Sequence, residues 1–504
     1  MKVYLETMGC QMNVLDSELV GSLLAREGFE LVADARAAEV LLYNTCSVRQ
    51  HAEDKAHSRL GWACQRKRAG RGLVVGVLGC MAQRLGAELL RRHPGLDIVC
   101  GPARLEALPE LIRAAAAGRQ AQLVVDLPRA ARVAQASQPV QGQAAQAFQP
   151  VPAQLGKAVP PEPAQPGKAL PPGIDCLRDA SRTHLPGQAF VRIQRGCDKF
   201  CTYCVVPFVR GSEQSRPPGV VVEEVRRLVD GGITQVTLLG QTVNSYHADD
   251  GGRTVGLADL LERLDAVPGL RRLRFVTSYP AGFDVRILEA MRDLKTACPA
   301  LHVPAQSGSD RVLRGMNRRY RVAEYDELVS RARQIVPGIA LAGDFIVGFP
   351  GESEEDHAAS AELIRRTRYR NAFIFKYSPR PGTTADKRLA DDVPEDVKRR
   401  RNQELLGIQN AISLADNRRL VGQRPEVLVE GPSPRASRQP REFAPGQVQG
   451  TPNAINRVWG PQLVGRTRTD HIVVFDAPPE LVGQYINVQI ADATTLALVG
   501  EAQM

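Results

Sequence analysis

Aromatic residues are scarce, at 5% of 504 residues with two tryptophans, which excludes a surface built mainly of base-stacking platforms. No apolar run approaches the length that spans a bilayer. The opening MKVYLETMGCQMN lacks the apolar segment of a signal peptide after its Lys2, so a cytoplasmic, membrane-free protein is expected. Cysteine is dilute, ten in the whole chain, which excludes a disulfide scaffold and fits a reducing compartment where thiolates stay available for metal. Acidic residues fall short of basic ones, 55 against 65, leaving a net charge of +10. That favours an anionic partner, nucleic acid first. The hydrophobic and charged fractions, 43% and 24%, are those of a globular protein, and the length allows roughly two to four domains.

Along the chain, residues 1–119 alternate strand-like and helix-like segments. KVYLE, VLLYN, GLVVGVLG and DIVCG read as strands, with helical spacing between them, which predicts an α/β doubly wound parallel sheet. Residues 120–182 are rich in Gln, Ala and Pro and lose all periodicity; AQLGKAVPP at 153–161 returns as AQPGKALPP at 164–172. This stretch reads as a flexible insertion. Residues 183–415 resume the alternation. FVRIQRG, QVTLLG, LRFVTSY, ALHVP, ALAGDFIVGF and AFIFKYS are six strand candidates, which predict a partial (β/α)6 barrel or a second doubly wound sheet. Residues 417–504 are β-like and predict a small antiparallel barrel, interrupted by a Pro, Gln and Arg-rich loop near 433–460.

The chemistry is carried by cysteine. Cys197, Cys201 and Cys204 stand in GCDKFCTYC, a CxxxCxxC spacing. Three thiolates leave one iron of a 4Fe–4S cubane open, which an ordinary four-cysteine electron carrier does not. A zinc site would need a second hook or a histidine, and the nearest, His184 and His247, are not at ligand spacing. A second set is dispersed: Cys10 follows the first strand, Cys46 the second and Cys80 the third. Carboxyl ends of parallel strands share one edge, where ligands bind, so these three should converge. Three independent buried cysteines are the plain alternative. Cys64, Cys100, Cys176 and Cys298 lack such placement.

CxxxCxxC with Tyr203 before its last Cys resembles the radical S-adenosylmethionine enzymes. GCDKFCTYCVVPFVRG, SRP, LLGQTVNSY, HVPAQSGSDRVLRGMNRRY, DFIVGFPGE and SPRPGT, with GCQMN, NTCSVR and LGC, resemble the methylthiotransferases, and among them the MiaB type. That resemblance covers nearly the whole chain except 120–182 and about 433–460. It implies methylthiolation of prenylated adenosine beside the tRNA anticodon. Cys197, Cys201 and Cys204 would hold the cluster that binds S-adenosylmethionine and generates a radical. Cys10, Cys46 and Cys80 would hold an auxiliary 4Fe–4S cluster that carries the sulfur. The terminal β-rich segment would be a TRAM domain binding RNA. An electron donor of flavodoxin or ferredoxin type, a sulfur source and a monomeric state are implied as well.

Weaker motifs follow. Gly240 and Gln241 end the second barrel strand, where the resemblance implies a contact to the methionine amino group. Gly348 and Glu352 approach a GxIxGxxE pattern lining the cofactor adenine, with Asp344 in place of its first Gly and Glu352 one place late. Turn geometry alone would also explain these glycines. Arg314, Arg318 and Arg319 read as an RNA-phosphate cluster or a solvated helix face, and Lys398 to Arg401 as mostly solvated surface. The rival readings are a sister methylthiotransferase, acting on threonylcarbamoyl-adenosine or a ribosomal-protein aspartate, and a non-catalytic iron–sulfur RNA-binding or redox-sensing protein.

Overall fold

A computed structural model of the chain describes residues 1–47, 50–70, 72–125, 174–183, 185–433 and 462–503. The tandem repeat at 153–172, most of the proposed 120–182 insertion and almost all of the 433–460 loop lie outside the described residues.

The N-terminal strands are apolar enough to be buried on both faces. Val40–Thr45 and Val74–Gly79 are buried at every position, as parallel strands covered by helices on two sides should be. Helices Gln11–Arg26 and Leu108–Ala116 cover one face through Leu15, Leu19, Leu111 and Ile112. Helix Gln50–Ala69 covers the other through Ala56, Leu60 and Ala63. The sheet is parallel throughout. Its order places Lys2–Thr7 between Glu30–Leu31 and Val40–Thr45, followed by Val74–Gly79, Ile98–Cys100 and Gln122–Val124. Two short edge strands, Glu30–Leu31 and Gln122–Val124, join the four expected from sequence, so the sheet runs past residue 119.

All six expected central strands form, in two parallel three-stranded sheets. Gln188–Arg192, Gln235–Leu239 and Arg272–Phe275 make one, and Ala300–His302, Ala340–Val347 and Asn371–Lys376 the other. A parallel bridge between Leu273 and Ala297 joins them. The sequential order, with helices such as Pro218–Asp230, Leu257–Asp265 and Glu354–Thr367 between strands, is the partial barrel and not a second doubly wound sheet. Alternate strand residues (Val191, Val236, Leu238, Phe275, Phe345, Ile374) meet the surrounding helices in one core, which leaves the opposite set facing the lumen.

The C-terminal strands Glu426–Pro432, Gln462–Thr467, Ile472–Asp476, Tyr485–Ala493 and Leu498–Ala502 close a small barrel. Four of its pairings are antiparallel, and Ile472–Asp476 with Leu498–Ala502 is parallel. It docks under the amino ends of the central strands. Arg272 donates to the Arg466 carbonyl at 2.7 Å and to Glu426 at 2.9 Å, and Arg370 pairs with Asp470 at 2.7 Å.

Candidate active site between the cysteine triads

The strand order of the first sheet contains a switch point. From Lys2–Thr7 the chain goes outward to Glu30–Leu31, then returns to pair Val40–Thr45 on the other side. A crevice opens at the carboxyl end of such a reversal, and Cys10 and Cys46 flank it. Cys80 follows the next strand, at the first turn of helix Cys80–Leu85.

Two buried asparagines tie these strand ends together. Asn13 donates to Asn44 Oδ1 at 2.9 Å and the Thr45 carbonyl at 3.0 Å, while Asn44 donates to the Asn13 carbonyl at 2.9 Å. The Cys10 thiol lies 3.3 Å from Asn13 Oδ1. Gly9 and Gly79, both at positive φ, let the strands close: a Cβ on Gly9 would fall 2.5 Å from the Cβ of Cys46, and one on Gly79 2.6 Å from the Thr45 carbonyl. A hydrogen bond with Cys46, set against burial and helped by Arg210 and the Asn13 and Met12 amides, brings the Cys10 thiol down to about 5. Burial pushes the Cys80 thiol up, and Arg210 pulls it back. The structure thus brings Cys10 against Cys46 and sets Cys80 at the adjoining strand end.

Cys197, Cys201 and Cys204 occupy the loop after Gln194–Arg195. The Cys204 amide donates to the Cys201 carbonyl at 3.0 Å, and Cys197 Sγ lies 3.5 Å from Thr242 Oγ1. Gly196, at φ +79°, lets the loop pass Ser212, whose carbonyl oxygen would lie 1.9 Å from any added Cβ. Burial raises the Cys197 thiol against the Thr242 hydrogen bond. Burial and the neighbouring Cys201 raise the Cys204 thiol. Among the described residues no three His, Cys, Asp or Glu side chains are gathered tightly enough for a single metal ion.

The two triads share one seam. Cys80 packs against Val205 and Val209, and Val205 directly follows Cys204. Arg210, at the end of helix Val206–Arg210, donates to Cys80 Sγ at 3.3 Å and to Asp16 at 2.9 Å. Asp16 also accepts from Arg192 at 2.9 Å, and Arg192 reaches Asp175 at 2.7 Å. Burial alone would push the Asp175 carboxyl up, but Arg192 and then Arg216 hold it down to about 2.

Beside Cys197, Gln194 and Gln241 each hold a buried side-chain oxygen that has no partner among the described residues. Buried acceptors are rarely left so, and each suits an N–H donor such as the amino group of S-adenosylmethionine. Gly240 packs against Gln194, its ideal Cβ lying 3.1 Å from Gln194 Oε1. Gly348 and Glu352 are engaged otherwise. The Glu352 carboxylate accepts from the Gly348 amide at 2.6 Å and from Arg401 at 2.8 Å, and Gly348 abuts the Lys398 stem.

Two surface expectations change. Lys398 and Arg401 are buried, because they share the inward face of helix Glu395–Arg418 with Leu405 and Ile412; only Arg399 and Arg400 of that run are exposed. Arg318 is engaged within the protein: it donates to Cys201 Sγ at 3.5 Å and to the Pro304 carbonyl at 3.2 Å, and its guanidinium stands 4.4 Å from the Tyr279 ring centre. Arg314 and Arg319 are exposed. Asn13, Asn44, Arg210 and Arg192 were not singled out from sequence, although polar residues inside otherwise apolar strands (VLLYN, FVRIQRG) were a signal. A cavity of about 300 Å³ lined by Phe283, Arg319 and Glu324 contains none of the six cysteines.

Comparison with known proteins places this geometry. Residues 191–364 match the radical SAM superfamily, and residues 2–101 match a family described as uncharacterized protein family UPF0004. The fold resembles the radical S-adenosylmethionine methyltransferase TsrM from Kitasatospora setae, with a TM-score of 0.51 at 17% identity over 76% of this chain and 77% of that one. The chain is thus a radical S-adenosylmethionine enzyme, a class that uses a 4Fe–4S cluster. It is 43% identical to a tRNA-2-methylthio-N(6)-dimethylallyladenosine synthase of Rhodopirellula baltica, covering 99% of this chain and 95% of the relative. A protein of the same name from Moorella thermoacetica is 39% identical, covering 98% and 97%. The chain belongs to the family of these synthases. Among the described residues no helix is long and apolar enough to cross a membrane.

Proposed function

We propose that this protein adds a methylthio group to carbon 2 of a prenylated adenosine next to the anticodon of tRNA. The observation that carries the reading is the shared seam, in which Cys80 of one triad packs on the residue after Cys204 of the other. Two cluster sites held that close suit a reaction that opens a carbon at one and supplies sulfur from the other. With S-adenosylmethionine bound, a cluster on Cys197, Cys201 and Cys204 would supply radical chemistry able to break an aromatic C–H that acid–base chemistry leaves untouched.

The chain's own residues do the rest. Gln194 and Gln241 would accept from the amino N–H of the cofactor, with Gly240 keeping the strand end clear. Gly348, Glu352 and Arg401 fix the turn after Ala340–Val347 that borders the cofactor. Cys10, Cys46 and Cys80 hold a second 4Fe–4S cluster, and the Asn13–Asn44 pair keeps their strand ends in register. Arg318 supports the Cys201 loop. The small barrel adds RNA affinity, with exposed Arg418, Arg419 and Arg424 at its entrance; binding should weaken with salt. An electron donor, a sulfur source and a monomeric state complete the proposal.

Anaerobic reconstitution tests it. About eight irons per chain are expected from two cubanes, falling to about half on Cys10→Ala or Cys197→Ala. Cys10→Ala should still cleave S-adenosylmethionine under a strong reductant but form no methylthio product. Unchanged methylthio-prenyl-adenosine in tRNA from cells lacking this protein would refute the reading.

A further inference from the structure

The barrel lumen is unevenly filled. The inward positions of the first three strands, Phe190, Leu239 and Val276, pack against the core of the N-terminal domain. The inward positions of the other three do not. His302 and Asp344 stand on neighbouring strands, with Nε2 and Oδ1 3.3 Å apart. Phe373 pairs in register with Asp344, and Phe375 with Ile346, so all four share one side of the sheet. These phenylalanines are 47% and 37% exposed although they lie on the inward face. Their rings are nearly parallel, 15° apart with centres 6.4 Å from each other.

The polar pair has a defined orientation. The Thr277 amide donates to His302 Nδ1 at 3.3 Å. A neutral imidazole therefore carries its hydrogen on Nε2, aimed at Asp344 Oδ1. Among the described residues Asp344 Oδ2 accepts no hydrogen bond. The recess thus combines a carboxylate oxygen seeking an N–H donor with a flat aromatic wall. It sits just below the strand ends that hold the triads: Ile346 packs with Tyr203 around Phe349 and Tyr377.

We infer that this half-lumen is the pocket for the target base, with Asp344 accepting from the N6–H of the adenine and Phe373 and Phe375 covering its face and its prenyl substituent. The inference rests on the proposed function and names the residues that set its specificity. A splayed loop base offers a π-face and hydrogen-bonding edges. An N6-alkylated adenine keeps one N6 hydrogen, and its alkyl group needs apolar cover. Asp344 and Phe373 are specificity-determining, and His302 is a positioning residue that holds the carboxylate.

The test is binding of three anticodon stem-loop RNAs to the full-length reconstituted protein. They carry prenylated adenosine, plain adenosine or inosine at the target place. The wild type should bind the prenylated loop best and inosine worst, since a carbonyl oxygen would face the carboxylate. Phe373→Ala combined with Phe375→Ala should weaken the prenylated loop about tenfold and abolish its advantage over plain adenosine. Phe373→Leu keeps an apolar side chain but not the flat face and should erode the same preference if the double variant does not fold. Asp344→Asn, whose amide can donate, should bring inosine to within about threefold of adenosine. Iron content and thermal midpoint show that each variant is folded. Prenyl preference retained in the folded phenylalanine variants overturns the pocket and leaves the methylthiolation reading standing. A wild type that binds the three loops equally and modifies none overturns that reading, and the pocket with it.

Discussion

Arg210→Met should loosen the seam between the N-terminal sheet and the central barrel. Arg210 and Asp16 are almost fully buried, with side chains 3% and 0% exposed. Removing one partner of such a pair costs about 3–5 kcal/mol, because a buried charge is left uncompensated. Arg192 still holds the other Asp16 oxygen at 2.9 Å, so the low end, about 3 kcal/mol, is expected. The Cys80 thiol also loses its N–H donor. Urea unfolding of the full chain should show the destabilisation as a lower midpoint. Iron retained by a variant lacking Cys197, Cys201 and Cys204 should fall too, since only the auxiliary triad remains. Arg210→Lys should be intermediate, because one ammonium cannot fork between Cys80 and Asp16 as a guanidinium does. A midpoint and iron content for Arg210→Met equal to the parent's would refute the idea that this arginine couples the two halves.

Gly196→Ala should cost about 1–2 kcal/mol from the left-handed backbone alone, and the overlap with the Ser212 carbonyl should halve the bound iron by displacing Cys197. Gln241→Leu should move two measurements in opposite directions: affinity for S-adenosylmethionine falls about tenfold, while the thermal midpoint of the cofactor-free protein holds or rises, because an orphaned buried acceptor is gone. Asp175 is held near 2 against an ordinary 3.8, so its stabilisation, about 2 kcal/mol, is complete above pH 4 and lost as pH falls through about 2. The stability gap between wild type and Asp175→Asn should accordingly close on acidification from pH 7, and a gap independent of pH would refute the pairing with Arg192.

Much of the fold was legible because each central strand is an apolar run bounded by turn residues, and these runs need only local periodicity to be found. Glu30–Leu31 and Gln122–Val124 escaped because two or three residues carry no period; the neighbouring strand edge makes them strands. The six candidate cysteines could be proposed from sequence for two reasons, close spacing in one triad and repeated strand-end placement in the other. Arg210 and Arg192 were not, since their meaning depends on Asp16 arriving from a domain nearly two hundred positions away. Lys398 and Arg401 misled because a run of charges hides its phase. Only the face shared with Leu405 shows which of them turn inward.

The docking of the small barrel beneath the central strands makes the molecule a gauge. Arg272 and Arg370 anchor it at the amino ends of strands whose carboxyl ends reach the cysteines. The eight residues of Ala340–Val347 span ~26 Å at the rise of a β-strand. A ligand that met both the small barrel and the cysteines would therefore have to span about that length. Short fragments can satisfy one end or the other, and only a ligand of the right reach satisfies both.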